Sequence, residues 1–255
     1  MALIQKVEDG VAFLRPARLH SFLGDARDRS ELADTLSELD ENPQVQAVLT
    51  HLPQYFPSAA APEPEEPEAW TAAERLSFSL ESSATGLLGR IGKPVLAVMA
   101  GHMEGPDLDL ELACDIRLAG MSATFCFAYA ARGVLPSDGA TQLLPRLVGR
   151  AWALDLLMTA RVVGASEALR MGLISRVAVE SELESEAATL ARRIAAWAPV
   201  AVRYAKEAVC SGLEGPLGAG LRLEADLSIL LQSTRDRAEG LAAFREKRTP
   251  RYEGK

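Results

Sequence analysis

The segment most informative about the fold is Lys93-Pro94-Val95-Leu96-Ala97-Val98-Met99-Ala100-Gly101-His102. Its apolar run is short and contains two valines, which predicts a buried strand within 93–100 that ends at Gly101. Continuous apolar runs of this length are typical of parallel strands that are covered on both faces. A bilayer span needs about 20 apolar residues, so this run is far too short to cross a membrane.

On both sides of this strand, predicted strands alternate with predicted helices over 1–180. Strands are predicted within 2–15 (two strands around Glu8-Asp9-Gly10), 45–50, 93–100, 115–118, 123–127 and 173–177. Helices are predicted at 29–40, 70–91, 106–113, 138–148, 151–159 and 166–171, with 53–68, rich in proline and glutamate, as an exposed mobile loop. The alternation indicates an α/β core.

After residue 180 the pattern is almost entirely helical. Helices are predicted at 181–197, 199–211, 217–233 and 235–246. Ser181, with Glu184 three residues later, has the spacing of a capping box at the start of the first. We therefore predict an α/β core over 1–195 and a C-terminal helical oligomerisation region over 196–255.

Composition restricts the function. The 255 residues are 48% hydrophobic, with 27 basic and 35 acidic side chains and a net charge of −8. This balance argues against a general nucleic-acid binder, which needs a basic field. Cys114, Cys126 and Cys210 are odd in number and far apart, which favours reduced, core-packed thiols in a cytoplasmic protein. The N-terminal residues have no signal-peptide pattern.

Several segments resemble a known family in order and spacing. The decisive strand leads into Ala113-Cys114-Asp115-Ile116-Arg117-Leu118-Ala119, and the later matches are Gly133-Val134-Leu135-Pro136, residues 139–149 (GATQLLPRLVG) and residues 168–174 (ALRMGLI). Arg15-Pro16 and Phe244-Arg245-Glu246-Lys247-Arg248 extend the match to both ends. The chain resembles the enoyl-CoA hydratase/isomerase (crotonase) family over nearly its whole length.

The resemblance implies a crotonase-like (ClpP/crotonase) α/β fold, a spiral of ββα units followed by a C-terminal helical trimerisation region. It also implies trimers, often paired into hexamers, and an acyl-CoA thioester as substrate or ligand. Two backbone N–H groups form the family's oxyanion hole, which stabilises a thioester enolate. In the hydratases of the family, two glutamates transfer the proton and activate the water.

By resemblance, two positions in this chain match those that provide the backbone donors of the oxyanion hole. Ala60, in Phe56-Pro57-Ser58-Ala59-Ala60-Ala61, matches the first donor, although the neighbouring Gly and Asp of the family have become alanines. Pro106 matches the glycine that provides the second donor. Because proline has no N–H, half of the hole is missing unless a water or the N–H of Asp107 replaces it.

The catalytic carboxylates also depart from the family. Asp109 falls on the first glutamate and Tyr129 on the second, and a phenol with a pKa of about 10 is a poor base at neutral pH. Asp138 lies one position after an acid that some members use, with a helix N-cap as its alternative role. Asp109 is the leading acid/base candidate, and Tyr129 and Asp138 complete the predicted catalytic set. Glu104 is a possible replacement carboxylate.

Basic side chains are the candidates for contacts with the phosphates of the ligand. Arg15, Arg18, Lys247 and Arg248 are candidates to meet the CoA phosphates, with a solvated surface as their alternative role. His102 is the histidine nearest the predicted site, where it either contacts the substrate or packs at a strand end. No two histidines have metal-ligand spacing, so neither a metal nor a cofactor beyond the CoA thioester is predicted.

These observations predict a cytoplasmic acyl-CoA-binding protein with a degenerate hydratase/isomerase site. Two alternatives stay open, a non-catalytic acyl-CoA-binding or assembly subunit and a variant isomerase or decarboxylase. The acyl chain, the pathway and the choice between trimer and hexamer are not determined by the sequence. No membrane or nucleic-acid partner is predicted.

Overall fold

The structure is a computed structural model, and it describes residues 3–16, 26–51, 83–136 and 138–255. The strands are β1 (Leu3–Glu8), β2 (Val11–Pro16), β3 (Ala47–Thr50), β4 (Val95–Met99), β5 (His102–Glu104), β6 (Ile116–Gly120), β7 (Thr124–Cys126), β8 (Val163–Gly164) and β9 (Arg176–Ala178). The first helices are α1 (Ala26–Glu41), α2 (Ala84–Gly89), α3 (Pro106–Leu112), α4 (Ala140–Val148), α5 (Arg150–Thr159) and α6 (Ala165–Met171). The later ones are α7 (Leu183–Ala195), α8 (Pro199–Gly212), α9 (Leu217–Gln232) and α10 (Arg235–Glu246), and a 3₁₀ helix spans Ala130–Arg132.

Two sheets organise the core. The larger sheet has the order β1-β2-β3-β4-β6-β9, in which β1 and β2 are antiparallel and all later neighbours are parallel. The smaller sheet has the order β5-β7-β8, with β5 and β7 parallel. The β1–β2 turn is formed by Asp9 and Gly10, both with positive φ, as the acidic hairpin turn requires.

The central strand β4 is buried along its whole length. Val95, Ala97 and Met99 point into one hydrophobic cluster, while Leu96 and Val98 point into another on the opposite face. Helix α7 contacts β2, β3, β4 and β6 and supplies much of the second cluster. This arrangement explains why the strand reads as a continuous apolar run rather than an alternating one.

The α/β interpretation is confirmed, and most elements lie within a few residues of their predicted bounds. The predicted strand at 173–177 was misplaced, because Leu173 and Ile174 pack in the core before β9 begins at Arg176. The capping box at Ser181 was wrong, since Glu182 precedes α7 and its side chain makes no cap. Strands β5 and β8 were not predicted, because runs of three and two residues carry no periodic signal.

Two further predictions are only partly covered by the structure. Of the helix predicted at 70–91, the described part contains α2 alone, and the loop at 53–68 lies outside the described residues. The thiols are all free, as expected, but Cys210 is exposed and not packed in the core. The division at residue 195 stays a prediction.

Candidate active site

Helix α3 begins where β5 ends, at the turn formed by Gly105. Gly105 has φ +73°, a conformation that glycine adopts without strain, and Pro106 follows as the first helical residue. The N–H groups of Leu108 and Asp109 both donate to the Gly105 carbonyl, at 3.0 and 3.2 Å. Asp107 therefore has the first peptide N–H of the helix, because proline lacks one.

Three aspartates near this helix are buried. Asp109 is fully buried on α3, Asp107 precedes it by two residues, and Asp138 lies just before α4. Tyr129, at the start of the 3₁₀ helix, packs against the main hydrophobic cluster. The N-cap residue of α4 is Gly139 and not Asp138, so the N-cap position predicted for Asp138 was wrong.

The pKa of the Tyr129 phenol reflects the presence of all three aspartates around it. Burial raises the pKa of Tyr129 most, the neighbouring carboxylate of Asp109 raises it further, and the charges of Asp138 and Asp107 add to the effect. The hydroxyl therefore stays protonated at neutral pH and keeps a hydrogen that it can donate. The structure brings the three predicted catalytic residues, Asp109, Tyr129 and Asp138, into one electrostatic group.

The smaller sheet positions these residues. Strand β5 leads into α3 and its partner β7 leads into the 3₁₀ helix, so their parallel pairing sets Asp109 beside Tyr129. Glu104, at the end of β5, forms an ion pair with Arg132, the last residue of the 3₁₀ helix. Through this ion pair, the Glu104 carboxylate connects β5 to the 3₁₀ helix.

His102 begins β5 and is partly buried. Its Nδ1 lies 2.9 Å from Thr124 Oγ1 on the neighbouring strand, and its Nε2 lies 3.3 Å from Glu104 Oε2. These contacts agree with the alternative role of His102, packing at a strand end, and its contact with the substrate stays a prediction.

Arg15 lies away from the aspartate group. It is the last residue but one of β2, on the face that α7 covers, and its guanidinium is 2.5 Å from Glu184 of α7. The Nδ1 of His51 is 3.3 Å from the other oxygen of Glu184. Burial, and then the charge of Arg15, lower the pKa of His51, while Glu184 opposes them. A cavity of about 360 Å³ opens between these residues and Arg192.

The C-terminal cations lie at the end of α10. Lys247 ends this helix with φ +55°, and Arg248 is held by both oxygens of Glu239, at 2.6 and 2.8 Å. Ala60 and Arg18 lie outside the described residues. Their predicted roles, in the oxyanion hole and at the CoA phosphates, stay predictions.

Sequence reasoning missed the acidic repeat of α3 as a unit. Asp107, Asp109 and Glu111 alternate with leucines, and all three are buried. Three buried acids in seven helical residues were visible as a pattern, but their burial depends on the sheets that enclose α3. Within 3–16, 26–51, 83–136 and 138–255, no group of three or more His, Cys, Asp or Glu residues is arranged to hold a metal ion.

Comparison with known proteins places this site in a family context. The family model described as enoyl-CoA hydratase/isomerase matches residues 11–255. The chain belongs to the enoyl-CoA hydratase/isomerase family. A human relative named enoyl-CoA hydratase domain-containing protein 2, mitochondrial, is 38% identical over 234 residues, covering 89% of this chain and 79% of that protein.

Further relatives agree with the family assignment. The rat methylglutaconyl-CoA hydratase, mitochondrial, is 43% identical over 166 residues, covering 63% of this chain and 52% of that protein. The crystal structure of enoyl-CoA hydratase from Bacillus anthracis superposes with a TM-score of 0.85 at 30% identity, covering 96% of each chain. The predicted crotonase-like α/β fold with C-terminal helices is thereby confirmed. Among the described helices, none has the length and apolar character needed to cross a membrane.

Proposed function

We propose that this family member binds an acyl-CoA thioester and transfers a proton through a thioester enolate, with Asp109 as the acid/base. One observation carries the proposal, the grouping of the fully buried Asp109 with Tyr129 and Asp138 at the start of α3. A buried phenol with a strongly raised pKa, grouped with buried acids in this way, marks a candidate functional site. Support for the thioester comes from the family match over residues 11–255.

In the proposed reaction, Asp109 takes a proton from the carbon next to the thioester carbonyl. The electron pair left behind moves onto the carbonyl oxygen, which backbone N–H groups stabilise as an enolate. The donors would be the N–H of Ala60 and, because Pro106 has none, the N–H of Asp107. Asp109 then returns the proton to a carbon of the same acyl chain, which moves the double bond.

Tyr129 and Asp138 have supporting roles in this proposal. The raised pKa of Tyr129 keeps its hydroxyl protonated, so it orients the carboxylate of Asp109 and does not act as a base. Asp138, buried near the same phenol, is the candidate for a second carboxylate that would activate water in a hydratase reaction. Isomerisation needs only Asp109, whereas hydration needs both acids.

A non-catalytic acyl-CoA-binding role is the second candidate. Pro106 at the first position of α3 favours it, because that position has no backbone donor. Under this alternative the thioester binds, but its carbonyl is not polarised enough for turnover.

The test is calorimetric titration with crotonyl-CoA and acetoacetyl-CoA, combined with spectrophotometric hydration of crotonyl-CoA and deuterium exchange into its acyl chain. Binding with turnover or exchange supports the enzyme, and its loss in Asp109→Asn but not in the exposed Asp34→Asn assigns the base. Binding without either activity supports the non-catalytic role. Absence of binding to both thioesters contradicts both candidates.

The remaining proposals concern assembly and location. Lys247 and Arg248, and Arg15 and Arg18, are proposed to meet the CoA phosphates, with no other cofactor. We also propose that the chain forms a homotrimer or hexamer through its C-terminal helices and works in the cytoplasm.

A further inference from the structure

Glu111 is a buried acid that the proposed reaction does not use. It is fully buried in the last turn of α3, and its Oε2 lies 3.5 Å from Thr50 Oγ1 at the end of β3. The same oxygen lies 3.7 Å from Cys114 Sγ, just beyond the helix. Its other oxygen, Oε1, is buried without a hydrogen-bond partner in the described part of the chain.

The neighbouring groups have few hydrogens to offer a carboxylate. The Thr50 hydroxyl has one hydrogen, and the Leu96 carbonyl oxygen, at 3.2 Å, is closer to it than Glu111 is. The Cys114 thiol has one weak donor hydrogen, which the Leu110 carbonyl at 3.8 Å also competes for. A proton on Glu111 itself would supply the missing donor and complete the contact with Thr50.

The nearby charges also disfavour a carboxylate. The guanidinium of Arg117 on β6 donates its hydrogen bonds to three backbone carbonyls, those of Leu112, Cys114 and Leu173, and none to Glu111. Asp107 lies one helical turn away and adds a like charge. Burial raises the pKa of Glu111 to about 8, against the lowering effects of Cys114, Arg117 and Thr50. Burial also raises the pKa of Cys114, which keeps it a thiol.

We propose that Glu111 is a positioning residue, a neutral carboxylic acid whose proton holds α3 against the end of β3. This junction fixes the helix that carries Asp109 to the strand that leads into the segment containing Ala60. Loss of the proton leaves a buried charge that forms no ion pair among the described residues, and the contact with Thr50 loses its donor. The link to catalysis rests on the proposed function, whereas the proton on Glu111 does not.

Unfolding in urea over pH 5–9 tests directly whether Glu111 keeps its proton in the folded chain. Between pH 4.5, the ordinary value for glutamate, and about pH 8, the unfolded chain has lost a proton that the folded chain keeps. The folding equilibrium constant of the wild type should therefore fall relative to Glu111→Gln by up to about tenfold per pH unit, and level off above pH 8. The matched control is Glu38→Gln, an exposed glutamate on α1. Parallel curves for wild type and Glu111→Gln would overturn the proposal.

Infrared spectroscopy of the wild type decides the same point if Glu111→Gln does not fold. The proposal predicts a carboxylic-acid carbonyl band at pH 7 that shifts on ¹³C-glutamate labelling and disappears by pH 9. Absence of such a band would overturn it.

The positioning role has its own readout, the pH dependence of crotonyl-CoA affinity. Affinity should fall above pH 8 in the wild type and hold in Glu111→Gln, and an equal fall in both proteins would overturn the role. If neither protein binds the thioester at any pH, the proposed function fails, and the positioning role of Glu111 fails with it. The unfolding and infrared results still test whether Glu111 is protonated.

Discussion

Lys206 of α8 joins the C-terminal helices to the central sheet through Asp115. Its ammonium nitrogen lies 2.8 Å from Asp115 Oδ2 and 3.0 Å from the carbonyl oxygen of Lys93. The same Asp115 oxygen accepts the N–H of Val95, at 2.8 Å, where β4 begins. One partly buried ion pair therefore connects a late helix to the strand at the centre of the fold.

Replacing Lys206 with methionine should destabilise the protein by about 1–3 kcal/mol, because Asp115 then keeps a charge without its cation in a site that is only 23% exposed. Urea unfolding measures the change. Lys6→Met is the control, since Lys6 pairs with Glu8 on the exposed hairpin and should leave the unfolding midpoint unchanged. Equal losses in the two variants would contradict the structural role of the Lys206 pair.

Asp109→Asn should lower turnover of a thioester substrate by about 10²–10⁴-fold with little loss of binding, because an amide keeps the shape but cannot take a proton. Stopped-flow or steady-state assays of the reaction found in the titration experiment measure this. Asp34→Asn, on the exposed side of α1, should retain full activity. Full activity in Asp109→Asn would remove Asp109 from the chemistry.

Tyr129 should not ionise in the range where ordinary phenols titrate, because burial and the neighbouring aspartates raise its pKa. Ultraviolet difference titration up to pH 11 should therefore show the same tyrosinate signal in the wild type and in Tyr129→Phe. A smaller signal in the variant would mean that Tyr129 titrates normally, and that its surroundings are less buried or less acidic than described.

His51 should titrate below its ordinary value, since burial and Arg15 lower its pKa. NMR of the imidazole should show the midpoint moving further down in Glu184→Gln and up in Arg15→Gln, with His51→Gln assigning the signal. Because the unfolded chain binds this proton more readily, His51 should reduce stability as the pH falls below about 6.5. Shifts of the opposite sign would contradict the geometry of this group.

The C-terminal helices should form the oligomer interface, because they expose large apolar side chains. Leu213 and Leu217 are 79% and 77% exposed, and Phe244 is 84% exposed. Glutamate at both 213 and 217 should reduce the mass measured by light scattering. Val7→Glu, at the β1–β2 hairpin, should leave the mass unchanged, and an unaltered mass in the double variant would locate the interface elsewhere.

The candidate site was predicted in part. Asp109 and Tyr129 were identified because they fall on the family's two glutamates, Asp138 because it lies one position after an acid that some members use, and the structure groups the three. The N-cap position predicted for Asp138 was wrong because the chain turns at Gly139, with φ +108°, and the helix begins after that glycine. That turn depends on backbone angles that a residue pattern does not specify.

By itself, the sequence determined the α/β class, the family and the missing donor at Pro106. These follow from local properties, namely apolar runs, the spacing of motifs and the chemistry of one residue type. Only the tertiary structure decided that Glu111 is enclosed and that Glu104 joins the two elements of the site. The reason is physical, since the desolvation and partner of a charged side chain are set by segments distant in sequence, such as Thr50 for Glu111.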